Sequence, residues 1–376
     1  MDGHGFMIRP ARLRPGRLPA TSPTLNEVLI RCPQRAAFSS DRSFDMLDRP
    51  TPGAVLGTVC HRIMAAVVLG EFDGVEEDEL EQHLRERWEE EVQSRLQEAS
   101  AKGQEVIPPD PSRWSYYQVK RVRLIHRAAE EVKARKDAVA ASAAVPHHAV
   151  EAYYEGYGGR LRGRADLIRS SPGGVEIVDF KTGSITEWDE RTGAEVLRHA
   201  YRRQLLLYAA LHFESTGEWP FKATVDALDG RTESFEVDPD EAEAVLAQAI
   251  AALEGYNQAV ERGRVEARPG RDSCQFCPYR GVCGQFLSSV DSSWDLYHVY
   301  LRGRANKTDS EPGGRYALSL SVSSGNTDGS EVVLHNVPES ELAPGSDSPE
   351  VSVAAAERTR SPRDIRFGPY TQLWYW

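Results

Sequence analysis

Hydrophobic positions repeat with two different periods along this chain. From residue 76 to 101, Leu80, Leu84, Trp88, Val92 and Leu96 recur every four residues, which predicts a long amphipathic helix with a heavily charged outer face. Residues 21–38 read as a capped helix, with Ser22 ahead of Pro23 and an apolar series at Leu25, Val28 and Leu29. Residues 55–69 read as an apolar helix containing His61, and residues 112–141 as a long helix that runs into an alanine-rich tract. The period then shortens. Residues 149–154, the pair Leu167-Ile168 and residues 175–180 are β-rich runs, the last two separated by a Ser171-Pro172-Gly173-Gly174 turn, so they predict a hairpin.

Further on, Leu197, Tyr201, Gln204, Leu205, Tyr208 and Leu211 share faces of a helix expected over 195–216. Strands at 222–228 and 233–237 and a helix at 239–262 follow. Helices, then strands, then helix and strand predict an α/β fold with a mixed sheet flanked by helices. Beyond Cys283 the composition changes to short β-rich runs at 295–302, 315–323, 331–336, 350–355 and 370–376, separated by Gly, Ser, Asp and Pro-rich loops. The expected organisation is a loosely ordered Arg- and Pro-rich start (1–20), a main unit (21–289) with a helical insertion at about 71–145, and a small β-domain (290–376), for which a barrel is one form.

Composition narrows the class. With 376 residues, 40% hydrophobic and 27% charged, the chain can bury a sizeable core, and no apolar run approaches the roughly 20 residues a bilayer requires. No membrane partner is expected. Pro10, Pro15 and Pro19 break the arginine-bearing start, which lacks the apolar stretch of a secretory signal, so a cytoplasmic location is expected. A net charge of −12 argues against indiscriminate coating of nucleic acid but leaves room for a local basic groove, since arginines gather at 9–17, 160–169 and 262–271. No Gly-x-x-x-x-Gly-Lys loop is present, so the chain shows no ATP-driven motor of its own.

The hairpin carries the most pointed chemistry. Asp166 lies on its first strand and Asp179 on its second, and at period two Asp179 and Lys181 share a face while Phe180 takes the other. Two carboxylates joined by sheet pairing repel one another unless a divalent cation sits between them, and Mg²⁺ is commonly held by one or two carboxylates plus a substrate phosphate. A lysine on the same face can contact that phosphate. The bland alternative is a hairpin with ordinary surface charges.

Five cysteines, Cys32, Cys60, Cys274, Cys277 and Cys283, argue against a disulfide framework. Cys274, Cys277 and Cys283 follow a C-x2-C-x5-C spacing that lets three thiolates converge on one centre. Cys32, in Arg31-Cys32-Pro33, is the best candidate for the fourth ligand, and its use would close a very long loop. Cys60, inside an apolar helix, reads as an ordinary buried thiol. Zinc and a [4Fe–4S] cluster both accept four thiolates, and spacing alone does not choose between them.

In this order the motifs resemble the PD-(D/E)XK nuclease superfamily, specifically its RecB-type branch with the iron–sulfur nuclease domains of AddB-like proteins. The resemblance covers roughly residues 21–287: the segment from Ser22 to the Cys32-Pro33 pair, Gly57-x-x-x-His61, Gly163-Arg164-x-Asp166, Asp179-x-Lys181-Thr182-Gly183, Tyr201-x-x-Gln204-Leu205-x-x-Tyr208 and the cysteine tail. It implies a restriction-endonuclease-like sheet, with His61, Asp166, Asp179 and the Phe180 carbonyl holding Mg²⁺ or Mn²⁺ and Lys181 positioning or activating the attacking water. Gln204 and Tyr208 would orient the catalytic groups or the strand, Glu151 would add an acid, and Cys32, Cys274, Cys277 and Cys283 would hold a [4Fe–4S] cluster. The implied activity is a metal-dependent DNase, an exonuclease in repair, recombination or defence, acting on single-stranded DNA or free ends, with a separate helicase or ATPase as a partner. A catalytically inactive DNA-end or partner-binding module is the alternative. His61 alone reads equally as a core histidine, and Tyr201 and Tyr208 as core packing. The last 90 or so residues fall outside the resemblance; Tyr297, Tyr300, Tyr370, Trp374 and Trp376 would stack on bases in an OB-like barrel or pack its core.

Overall fold

A computed structural model describes residues 13–104, 106, 108–140, 147–294, 297–327, 329–342 and 349–376. Part of the expected loose start (1–12), the end of the helical insertion (141–146) and the first two residues of the strand expected at 295–302 lie outside the described residues. The chain divides into two compact units, one of Leu18–Glu27 and Pro50–Gln258, the other of Met1–Arg17, Val28–Arg49 and Ala259–Trp376.

Proline and backbone strain move several helix boundaries. The helix expected over 21–38 is two helices, α1 (Pro23–Arg31) and α2 (Pro33–Ser40). Pro33 has no N–H and bars the residue before it from the helical region, so Cys32 is extended at φ −158. Helix α3 (Pro52–Val68) is capped by Thr51, whose hydroxyl accepts from the Ala54 N–H at 3.2 Å. Helix α4 (Glu77–Ala101) follows the four-residue stripe, with Leu80, Leu84, Trp88 and Val92 buried. Helix α5 (Tyr117–Ala140) starts later than expected, because a 3₁₀ turn at Pro111–Arg113 and Tyr116 at φ +64 precede it.

The sheet of the first unit is mixed and runs β1 (His147–Gly156), β2 (Leu161–Ser171), β3 (Gly174–Lys181), then β6 (Lys222–Ala227) and β7 (Thr232–Glu236). Between β3 and β6 the chain makes a small hairpin, β4 (Thr186–Asp189) with β5 (Ala194–Leu197), and helix α6 (His199–Thr216). The helix expected from residue 195 therefore starts at His199, and Leu197 belongs to a strand. The hairpin β2–β3 is antiparallel, whereas β3 and β6 are parallel.

Two cores cover the two faces of this sheet. Leu167, Val178 and Phe180 pack with α3, α4 and α5, while Ala165, Ile168, Ile177, Ala223 and Val225 pack with α6 and α7 (Pro239–Glu261). Burial on both faces is why four successive residues of β3, Ile177, Val178, Asp179 and Phe180, are all withdrawn from solvent. Arg127 of α5 donates to buried Asp226 of β6 at 2.8 Å, fastening the helix across the sheet.

Gly163 is required by close approach. A Cβ there would stand 2.9 Å from the Tyr208 ring and 3.0 Å from Pro23. Gly163→Ala is therefore expected to destabilise the unit by about 1–3 kcal/mol through overpacking, read as a lower denaturant midpoint at unchanged m.

The second unit carries a small β-barrel. Strands β8 (His298–Glu311), β9 (Arg315–Gly325), β10 (Glu331–Pro338), β12 (Asp364–Arg366) and β11 (Glu350–Arg358) form a ring, since β12 pairs with both β10 and β11, and β11 returns to β8. Strand β13 (Gln372–Tyr375) adds to β11. Val299, Leu301, Leu318, Leu320, Leu334 and Val353 fill its interior. Short β12 was not expected from the sequence, which offers only Ile365 as an inward residue there. Of the five aromatics considered for stacking, Tyr300 and Trp374 are core residues, whereas Tyr297, Tyr370 and Trp376 are exposed.

His335 bridges Glu311 (2.6 Å) and Asp364 (3.0 Å), on β8 and β12. The hydrogen bonds to Glu311 first and Asp364 second hold its pKa above the usual histidine range; His335 in turn holds Glu311 below the usual carboxylate range, and Ser361 first and His335 second do the same for Asp364. A raised folded pKa stabilises fully below the unfolded value and is lost as pH rises through the folded one; the depressed acids lose theirs as pH falls. The melting-temperature gap between wild type and His335→Ala should thus be widest between roughly pH 4.5 and 6.5 and narrow towards alkaline pH. A gap independent of pH would contradict this linkage.

Candidate active site

Five elements of the first unit bring their functional side chains together at one end of β2 and β3. Helix α3 presents His61, one turn after Gly57 on the same face. Strand β2 supplies Asp166 and β3 supplies Asp179 and Lys181; their ladder stops at Leu167–Val178, one residue short of both acids. Beyond that point the Phe180 N–H turns to the Asp166 carboxylate, donating to Oδ2 at 2.8 Å. The other Asp166 oxygen lies 3.2 Å from His61 Nδ1.

Asp179 is 3% exposed. Lys181 Nζ stands 2.5 Å from its Oδ2, and Gln204 of α6 donates to its Oδ1 at 3.2 Å. The Lys181 ammonium also lies 5.0 Å from the Tyr201 ring centre. Tyr208, one turn after Gln204, packs its ring over Gly163 and hydrogen-bonds the Gln204 side chain, close enough to feel the charge of Asp179.

Glu151 of β1 joins this group. It holds φ +51, an uncommon backbone conformation for a residue with a side chain and one that clusters at functional sites. Ligand atoms of His61, Glu151 and Asp166 all lie within 4.8 Å of one another. Ligands on opposite sides of one Mg²⁺ stand roughly 4.2 Å apart, so the cradle has the dimensions of a single divalent ion, and its two carboxylates and one imidazole suit Mg²⁺ or Mn²⁺. Among the metal ligands implied by the motifs, His61 and Asp166 fall in this three-donor cradle, while both oxygens of Asp179 are engaged by Lys181 and Gln204. The sequence offered Glu151 only by its place on the preceding strand; its strained backbone has no sequence signal.

Electrostatics follow from burial and crowding. Burial pushes Asp179 up, with Lys181 opposing that push and the Asp166 charge adding to it. Burial pulls Lys181 down but Asp179 outweighs it, so the amine is held above its usual range and stays an ammonium. His61 behaves alike: burial lowers it, the hydrogen bond to Asp166 prevails, and its pKa is raised. Glu151 is raised by burial and by the Asp166 charge. Three acids crowded against one histidine and one lysine leave an excess of negative charge that a divalent cation would relieve.

The cysteines separate as two kinds. Cys60, buried in α3, has its thiol pushed up to about 12 by burial. Cys32, Cys274, Cys277 and Cys283, all in the second unit, line one small pocket with Phe38 and Phe286. Backbone N–H groups donate to two of these sulfurs, Arg268 to Cys32 at 3.4 Å and Phe286 to Cys283 at 3.5 Å. Among the described residues no three of the four sulfurs lie mutually within 4.8 Å.

No curated protein matches the sequence. Among solved structures it is similar to a "Putative exonuclease" from Eubacterium rectale, at 17% identity over 57% of this chain and 72% of the other, with a TM-score of 0.30. The PD-(D/E)XK nuclease superfamily matches it over residues 20–284, a span that takes in His61, Glu151, Asp166, Asp179, Lys181 and all the cysteines. By that match, running through most of its length, the chain belongs to the PD-(D/E)XK nuclease superfamily.

Proposed function

We propose that this protein is a divalent-metal-dependent deoxyribonuclease of the RecB-type, an exonuclease acting on single-stranded DNA or free ends. The observation that carries the reading is the cradle of His61, Glu151 and Asp166 set beside the Asp179–Lys181 pair. His61, Glu151 and Asp166 would hold the ion, with Asp179 and the Phe180 carbonyl completing its surroundings when the lysine contact rearranges. A bound Mg²⁺ or Mn²⁺ would polarise a phosphate oxygen and ease deprotonation of water.

The chain's own groups do the rest. The phosphorus–oxygen bond to water forms as the bond to the leaving sugar oxygen breaks, and that oxygen takes up a proton. Lys181, kept protonated by Asp179, places a fixed positive charge where the phosphate gains negative charge. Gln204 fixes the Asp179 carboxylate, and Tyr208 wedges α6 against Gly163 so that Gln204 stays in reach. The test is Mg²⁺- or Mn²⁺-dependent degradation of linear single- and double-stranded DNA with free or blocked ends. Asp179→Ala and Lys181→Ala should each lower kcat by roughly 100-fold or more. Cleavage at wild-type rates by both variants would remove the proposal, and a wild type that binds DNA but neither cleaves it nor takes up Mn²⁺ would mark a non-catalytic binding module.

We further propose that Cys32, Cys274, Cys277 and Cys283 hold a [4Fe–4S] cluster. Four zinc-bound sulfurs stand roughly 3.8 Å apart around one ion, and no three of these thiols are mutually that close among the described residues, whereas a cluster with an iron for each thiolate spreads them more widely. The N–H donors to Cys32 and Cys283 suit sulfur ligands that carry charge. Anaerobically purified protein should be brown with about four iron atoms per chain, and Cys283→Ser should lose the colour and melt at lower temperature. Colourless protein carrying one zinc would overturn the assignment. The ring order of the barrel, with β10 and β12 its one parallel pair, supports an OB-like module.

A further inference from the structure

A second cleft, of about 390 Å³, opens next to the proposed reaction centre and is absorbed by none of the roles above. Its walls are the start of α5 and the turns that follow β3 and β6, with Tyr116, Lys120, Arg123, Thr182, Asp229 and Arg231 facing the space. Strands β3 and β6 are parallel, and crevices beyond the carboxyl ends of parallel strands are where open α/β sheets receive ligands. Thr182 follows Lys181 directly in the chain, so anything seated here reaches the site of hydrolysis within one residue.

The charges in the cleft are unbalanced. Asp229 is occupied by Arg231, which grips it with two nitrogens at 3.1 and 2.8 Å. Among the described residues neither Lys120 nor Arg123 has a carboxylate within ion-pair distance; Lys120 donates instead to the Thr182 hydroxyl at 3.1 Å. Lys120 is also half-buried, and an ammonium taken partly out of water without a counter-charge is unfavourable unless an anion arrives to meet it. Beside the two cations stands Tyr116, a large ring 71% exposed, on a backbone at φ +64. An exposed aromatic held on a strained backbone next to unpaired cations has the makings of a base-stacking platform.

We propose that this cleft is a subsite for the nucleic-acid strand beyond the scissile bond, in which Lys120 and Arg123 hold a backbone phosphate and Tyr116 stacks on the adjoining base. The proposal rests on the nuclease reading for its place in catalysis, but the binding it describes does not require cleavage. Lys120 and Arg123 are positioning residues. Arg127, paired with Asp226, keeps α5 at the distance the cleft needs.

The experiment measures binding of a short labelled single-stranded oligonucleotide to the full chain in chelator, alongside cleavage with metal. Lys120→Gln, which retains a donor for Thr182, and Arg123→Gln should each weaken binding several-fold and lower the slope of log affinity against log salt by roughly 0.7. In cleavage, Arg123→Gln should raise KM and leave kcat near the wild-type value. Tyr116→Gly relieves the positive φ, so it should melt at or above the wild-type temperature. It should nonetheless bind the oligonucleotide roughly 5- to 100-fold more weakly while matching wild type on an abasic strand. Wild-type affinity and salt slope in both Lys120→Gln and Arg123→Gln would overturn the phosphate subsite, and unchanged binding by Tyr116→Gly would overturn the stacking role. Binding that depends on these residues in a protein that cleaves nothing would sustain the cleft and defeat the nuclease reading. Normal cleavage with all three variants binding as wild type would do the reverse.

Discussion

Asp179 is an ionisable group almost wholly removed from water, and the first unit is arranged around the need to compensate it. The Lys181 ammonium at 2.5 Å and the Gln204 amide at 3.2 Å supply that compensation, because a buried carboxylate without partners would protonate or drive the strand out of the core. Lys181 can reach Asp179 only because the two share one face of β3, and Gln204 only because α6 lies flat on that face. The opposite face carries Val178 and Phe180 into the core beneath α3, α4 and α5. Chemistry and packing are thus assigned to alternate residues of one strand.

From that strand the other groups follow by short steps. The Phe180 N–H holds Asp166, Asp166 faces His61, and Glu151 closes the group from β1 in a backbone conformation that neighbouring strands must enforce. Burial raises the pKa values of Glu151 and Asp179, and the charge of Asp166 adds to both because the acids repel one another. A site that is electrostatically uncomfortable when alone is suited to gaining a cation. The same reasoning extends along α5, where Lys120 and Arg123 are short of negative charge while the carboxylates next door have too much.

The cysteines solve a different problem. Phe38, Phe44, Leu47, Tyr279, Val282 and Trp374 pack together in the second unit from segments far apart in the chain, and Cys32 with Cys274, Cys277 and Cys283 sits beside them. Ordering such distant segments is costly in chain entropy, and the cluster proposed on these cysteines would reduce that cost by restricting the unfolded chain. The barrel instead closes by backbone pairing, with β12 bridging Val333–His335 of β10 to Glu357 and Arg358 of β11.

Much of this was legible in one dimension because it depends on local periodicity. The four-residue stripe of α4, the Pro-Gly-Gly hairpin, the alternation of Asp179, Phe180 and Lys181 and the Gln204 face of α6 are all consequences of residues within a few positions of each other. Proline broke the expected helix at Cys32 and a positive φ delayed α5 at Tyr116, the first foreseeable from residue type and the second not. The β4–β5 hairpin displaced the start of α6, since pairing between strands can override a weak helical pattern at Leu197. Short β12 exists only because β10 and β11 are there to receive it. The strained Glu151, the need for a bare Gly163 beneath Tyr208 and the cleft in which Lys120 and Arg123 have, among the described residues, no carboxylate within ion-pair distance likewise belong to tertiary structure alone, because each is a relation between segments brought together by folding. The sequence by itself determined which residues are candidates for the chemistry and on which faces they lie; the fold decided which of them meet.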